Sequence, residues 1–158
     1  MKNISKFLLV FIFLAQATYA DEVEEGLKAL NRGDYKTAFE IWKPLAEKGN
    51  STAQFNLGLM YDKGDGVRQN FPKAVKWYRL AAKQRNVSAQ FNLGFMYYNG
   101  EGVPRDYERA LKWYLYAARQ GNIGAQFNLG WMFDKGEGVT SNYKRAIKWY
   151  RLAAKHGH

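Results

Sequence analysis

AQFNLGLMYDKGDGV occupies residues 53–67, AQFNLGFMYYNGEGV residues 89–103 and AQFNLGWMFDKGEGV residues 125–139. Both offsets are thirty-six residues. Self-similarity at such a period marks stacked supersecondary units. One unit cannot enclose its own apolar stripe, so several must pile up to share a core.

Within the first copy, residues 51–86, Ala53, Leu57, Met60 and Tyr61 recur at helical spacing, which predicts an amphipathic helix over 52–63, helix A of the repeat. Gly58 interrupts it with no side chain, at about 1 kcal/mol against Ala. The same feature at Gly94 and Gly130 implies a second helix crossing closely at that height. Gly64 and Gly66 end helix A, since glycine tolerates left-handed dihedrals, and Val67 is expected to tuck the turn back onto the helices. Helix B is predicted from Phe71 to about Gln84, with Ala74, Trp77, Tyr78, Ala81 and Ala82 as its apolar stripe. Asn70, Asp106 and Asn142 stand at its N-cap in the three copies, and Asp34 fits the same series.

The preceding segment, residues 21–50, has the same two-helix rhythm with a short turn at Asn31-Arg32-Gly33. Its Gly26, Ala29, Gly33, Tyr35, Ala38 and Trp42 resemble the small-and-aromatic spacing of a tetratricopeptide repeat. Pro44 is expected to bend or interrupt its second helix. The organisation is therefore a leader at 1–20, a tetratricopeptide-like pair at 21–50, and repeats at 51–86, 87–122 and 123–158.

The long copies resemble Sel-1-like repeats, relatives of the tetratricopeptide repeat with a longer, glycine-marked turn. Ala53, Leu57, Gly58, Tyr61, Gly64, Gly66, Val67, Ala74, Trp77, Tyr78, Ala81 and Ala82 carry the match. Their equivalents recur in both later copies, with Phe133 at the tyrosine position. The resemblance implies an all-α fold, a right-handed α-α superhelix of antiparallel helix pairs that binds proteins or peptides. Bacterial members are often exported scaffolds. Some are cysteine-rich and associated with penicillin binding and weak β-lactamase activity, but this chain has no Cys.

MKNISK, the apolar FLLVFIFLA and the small-residue QATYA give the order of a secretory signal peptide, with cleavage expected after Ala20 and Ala15-Gln16-Ala17 as the competing site. The apolar run is about half of the ~20 residues a membrane span needs. The expected location is thus the periplasm or the medium. Removing Lys2 and Lys6 from the 24 basic residues leaves 22 against 14 acidic ones, a net +8 instead of +10. In an exported chain this charge points away from nucleic acid and toward anionic surfaces or acidic proteins. Zero Cys excludes disulfides, cysteine catalysis and thiolate metal sites.

Two surfaces are candidates for binding. By the resemblance, helix A lines the concave face, where Asn56, Asn92 and Asn128 could present a ladder of amides to an extended peptide. Phe55, Phe91 and Phe127, with Phe95, Tyr98 and Trp131, would flank them as apolar anchors. The competing reading has the amides bonded locally and the aromatics packed between repeats. On helix B, Lys76, Arg79 and Lys83, then Arg109, Lys112 and Arg119, then Lys148, Arg151 and Lys155 form a basic row that could face an anionic envelope surface or an acidic partner. A row of this kind is also what any solvated convex face carries. The last helix B has no polar helix closing it, which makes end-to-end self-association a further expectation.

Catalytic patterns fail. Ser141-Asn142-Tyr143-Lys144 matches Ser-x-x-Lys, but it opens a helix B without Ser-Asp-Asn or Lys-Thr-Gly elsewhere. Asp62-Lys63-Gly64-Asp65-Gly66 lacks the alternating ligands and closing Glu of a calcium loop. His156 and His158 are the only histidines, too few for a metal or a triad, and no cofactor is expected. Asn50-Ser51-Thr52 and Asn86-Val87-Ser88 are glycosylation sequons.

Overall fold

The computed structural model describes residues 21–156, the side chain of His156 excepted. The leader expected at 1–20 and the terminal His158 lie outside them. Among the described residues the protein is entirely helical: α1 covers 21–31, and α2 (Tyr35–Glu47), α3 (Ser51–Lys63), α4 (Phe71–Lys83), α5 (Val87–Asn99), α6 (Tyr107–Arg119), α7 (Ile123–Lys135) and α8 (Tyr143–His156) follow. Each helix from α2 onward packs against its neighbours in the chain, which makes the array a helical solenoid. No helix among these residues is long and apolar enough to cross a membrane.

The caps follow from short polar side chains at the right positions. Asn70 Oδ1 accepts from the Lys73 backbone N–H at 2.9 Å, and Asp106 and Asn142 accept from Arg109 and Arg145 at the same distance. The caps of the helices A were not anticipated. Asn50, Asn86 and Asn122 accept from Ala53, Ala89 and Ala125 at 2.9, 2.9 and 2.8 Å, so both sequon asparagines are structural caps.

Pro44 does not interrupt its helix: α2 runs through it to Glu47. The N–H that proline lacks would have bonded the carbonyl of Glu40, an exposed residue whose carbonyl water can serve.

The glycine-marked turn does more than reverse the chain. Gly64 adopts φ +83° and closes α3 through its N–H to Met60 O. The second glycine docks the turn onto the preceding repeat: a Cβ at Gly66 would lie 2.7 Å from Tyr35 Cβ, and one at Gly138 would meet the Tyr107 backbone at 2.5 Å. Both contacts fall on the first residue of the preceding helix B. Val67 and Val103 lie partly buried against the core, as expected of a turn tucked onto the helices.

Three glutamines missed from the sequence complete the packing. Gln54, Gln90 and Gln126 are buried, and their amides donate to Ala46 O, Ala82 O and Ala118 O at 3.0, 3.1 and 3.2 Å. Each bond ties a helix A to the end of the preceding helix B. Gln84 and Gln120 extend the series by donating to Gln54 Oε1 and Gln90 Oε1 at 2.8 and 2.7 Å.

Candidate binding surface

The Asn-Leu-Gly at the centre of each helix A is an assembly joint. Its leucine is core: Leu57, Leu93 and Leu129 are at most 1% exposed. Its glycine receives a ring, since a Cβ on Gly58, Gly94 or Gly130 would lie 2.7, 2.8 or 2.5 Å from Cδ1 of Tyr78, Tyr114 or Tyr150. The close crossing inferred from the repeated glycines is therefore that of a tyrosine on the same repeat's helix B.

The asparagine reaches the other way, to the tyrosine of the preceding repeat. Tyr78 donates its hydroxyl to Asp62 Oδ2 at 3.0 Å, and the Asn92 amide approaches the same hydroxyl from α5 as a donor. Burial, chiefly, and the Asp62 charge hold the Tyr78 phenol well above its usual range, with Asn92 pulling the other way. Asn128 makes the same approach to Tyr114. Asn56 departs from the expectation that it lies on an open face, being only 7% exposed. Helix A is flanked by its own helix B and the preceding one, so it is covered over a wider arc than one apolar stripe. At the tyrosine position this first joint has Trp42, which offers no hydroxyl, and Asn56 Nδ2 is buried without a partner.

The predicted aromatic anchors divide. Phe55 and Phe91 are half-buried and packed at 6.0 and 5.8 Å centroid distance on Tyr78 and Tyr114. Phe127, Phe95 and Trp131 are 54%, 43% and 42% exposed, an unusual concentration of open aromatic surface. They converge. Phe95, Tyr98 and Asn99 of α5, Phe127, Asn128 and Trp131 of α7, and Tyr114 beneath them enclose a cavity of about 260 Å³.

Four lining positions differ from their equivalents one repeat earlier: Phe95 for Leu59, Tyr98 for Asp62, Asn99 for Lys63 and Trp131 for Phe95. Tyr98 stands where Asp62 and Asp134 stand in the sister repeats, so no carboxylate reaches toward the Tyr114 hydroxyl. The Tyr98 hydroxyl instead donates to Glu137 Oε2 at 2.7 Å and receives the Trp131 indole N–H. Burial, then the Glu137 carboxylate, pushes the Tyr98 pKa up to about 12. Lys135 Nζ sits 5.0 Å over the Trp131 ring. The rim is thus held by polar and cation–π contacts while Phe95, Phe127 and Trp131 stay partly exposed.

The basic row of helix B is less uniform than its sequence. Arg79 donates to the Tyr97 hydroxyl at 2.9 Å, and Arg109 pairs with Asp106 at 3.1 Å while lying over the Tyr97 ring. Lys76 lies over Trp77. Lys112, Lys148, Arg151 and Lys155 are exposed, as are Lys83 and Arg119. The Ser-x-x-Lys serine has a structural post: Ser141 Oγ donates to Asp134 O at 3.0 Å, the bond Gln69 Nε2 makes to Asp62 O at 2.7 Å one repeat earlier.

These features define a helical-repeat scaffold, of a class that typically mediates protein–protein interaction. The Sel1 repeat family model matches four consecutive segments, 14–50, 51–86, 87–122 and 123–158, and the chain belongs to the Sel1 repeat family. The first match takes in the pair whose sequence resembles a tetratricopeptide repeat. A Sel1 repeat protein from Oxalobacter formigenes is 38% identical with a TM-score of 0.82, covering 85% of this chain and 56% of its own. The c5321 protective antigen of uropathogenic Escherichia coli strains, described as displaying an SLR fold, is 36% identical with a TM-score of 0.84, over 89% of this chain and 31% of its own. Among curated proteins, the DAP3-binding cell death enhancer 1 of Rattus norvegicus is 38% identical over 50 residues, which are 32% of this chain. This chain spans 10% of the length of that relative.

Proposed function

We propose that the protein is a non-catalytic scaffold that binds an extended peptide or a protein segment along the concave row of helices A, with the cavity between α5 and α7 as the main anchor point. The observation that carries this reading is the convergence of Phe95, Phe127 and Trp131, each more than 40% exposed, on one aromatic cavity. At about 260 Å³ it is smaller than a typical drug-sized site and suits one large apolar side chain of a partner. Asn99 and Asn128 at its edge have donors engaged on Glu101 and Tyr114, and their amide oxygens would accept from that partner's backbone. The basic leader pattern of residues 1–20 supports export, and N-terminal sequencing of the mature protein tests it.

Selection of a displayed library of extended peptides on the immobilised protein tests the binding reading. Selected peptides should share a large apolar residue, and Trp131→Ala should weaken them about thirtyfold, as truncation of a central aromatic anchor does. Trp131 is 42% exposed and outside the buried core, so its truncation should leave the fold intact, which a thermal melt of the variant checks. Peptides that bind Trp131→Ala as tightly as the parent would displace the site from this cavity.

A further inference from the structure

Arg85 is the only non-glycine among the described residues with a positive φ, +67°. The equivalent positions one repeat before and after are Gly49 and Gly121, at φ +99° and +89°. A left-handed conformation is unfavourable for a residue with a Cβ, and the sister repeats adopt it without that cost by using glycine. A long cation placed there is a local cost that the fold does not require.

Its surroundings change in concert. Arg85, with Lys83, lies at the end of α4 and shares with Trp113, Tyr116 and Arg119 of α6 a cavity of about 490 Å³. At the preceding joint, Glu47 stands for Lys83, Gly49 for Arg85 and Leu80 for Tyr116. Against the preceding joint three cavity positions thus differ together: a charge reverses, a cation is gained, and an aliphatic side chain becomes a phenol. Against the following one, where Arg119 keeps the cation of Lys83, Gly121 and Leu152 replace Arg85 and Tyr116. Among the described residues Lys83, Arg85 and Arg119 make no ion pair, and no carboxylate lines the cavity. Trp113 and Tyr116 meet edge to face at 5.6 Å, which leaves a ring-lined wall beside the three cations.

We propose that this cavity binds an oxyanion, a phosphate or carboxylate, borne on a flat ring. Arg85 and Arg119 would hold the charged group by paired guanidinium hydrogen bonds, with Lys83 as a point charge. Trp113 and Tyr116 would cover the ring, and the cavity volume falls in the range of small-ligand sites. The site is separate from the aromatic cavity between α5 and α7 and shares no residue with it.

Calorimetric titration of the full chain with phenyl phosphate, benzoate and inorganic phosphate tests this, read against Arg85→Gly and Tyr116→Leu. Both substitutions install residues that sister repeats already carry, so both variants should melt no lower than the parent. Phenyl phosphate or benzoate should saturate one site, and whichever binds identifies the oxyanion. Arg85→Gly should weaken that binding at least tenfold. Tyr116→Leu should weaken the ring-bearing ligand while leaving inorganic phosphate unchanged. Absence of saturable binding by either ring compound overturns the proposal. So does unchanged affinity in Arg85→Gly, or inorganic phosphate binding as tightly as the ring compounds.

Discussion

Gly94 and Tyr114 are separated by the space of one missing methyl group: a Cβ built on Gly94 would lie 2.8 Å from Cδ1 of the ring. Gly94→Ala therefore sets two effects against each other. Helix propensity favours alanine by about 1 kcal/mol, whereas forcing a methyl into a filled space costs about 1–3 kcal/mol. Tyr114 is 1% exposed and Phe91 packs on it, so the ring has little room to withdraw. Overpacking wins, and chemical denaturation should show a net loss of about 1 kcal/mol. A gain in stability would mean that the ring yields freely.

Asn56 and Asn92 occupy the same place in successive repeats with opposite consequences. Asn56 Nδ2 is buried without an acceptor, whereas the Asn92 amide approaches the Tyr78 hydroxyl. An unsatisfied buried donor costs about 1–3 kcal/mol. Asn56→Leu should raise stability by about 1 kcal/mol, while Asn92→Leu should lower it by a similar amount. Equal effects in the two variants would show that the amides play no part in joining repeats.

This contrast also marks where the sequence stopped being informative. The period, the glycine doublet and the caps at Asp34, Asn70, Asp106 and Asn142 are local signals, and local signals were enough for the solenoid. The placement of Asn56 depended on a helix from the preceding repeat, which a single amphipathic stripe does not represent. Gln54, Gln90 and Gln126 carry no local signal of burial, because glutamine is polar and a good helix former. Their unchanged recurrence within the invariant Ala-Gln-Phe-Asn-Leu-Gly of all three copies was the available clue. The aromatic cavity was partly legible, since Phe95, Tyr98, Phe127, Asn128 and Trp131 were all singled out, but Tyr114 beneath them read only as core. The cavity at Arg85 shows in the sequence only as a difference between copies, with Arg85 where Gly49 and Gly121 stand in the sister repeats.

The Asp62 carboxyl is held above its usual range, first by burial, against the bond from Tyr78 that lowers it. A carboxyl whose folded pKa is raised favours folding most when protonated. Its contribution is present below the unfolded value of about 4 and is lost as pH rises through the raised folded value. Asp62→Asn removes that dependence while keeping an acceptor for the Tyr78 hydroxyl. The variant should therefore be at least as stable as the parent at pH 7, with the advantage disappearing at pH 3. Thermal melts of both proteins across this window decide it, and a variant that is weaker at pH 7 would show that the charged bond outweighs the burial.

Tyr98→Asp exchanges one joint for the other. At the joint between the first two long repeats, Asp62 accepts from Tyr78 at 3.0 Å and tolerates the charge of Glu101 in the next turn. An aspartate at 98 would stand in the same relation to Tyr114 and Glu137, so the array already contains the arrangement the variant would adopt. The stability change should stay within about 1 kcal/mol, since a lost phenol is offset by a hydroxyl that gains its acceptor. Binding should not survive so well. The substitution removes one wall of the aromatic cavity and the hydroxyl that receives the Trp131 indole N–H. Peptides selected on the parent should bind about tenfold more weakly, about 1.4 kcal/mol. Retained folding with lost binding would separate the cavity from the scaffold that carries it, because Asp62 and Tyr98 would then differ in what they bind and hardly at all in what they support.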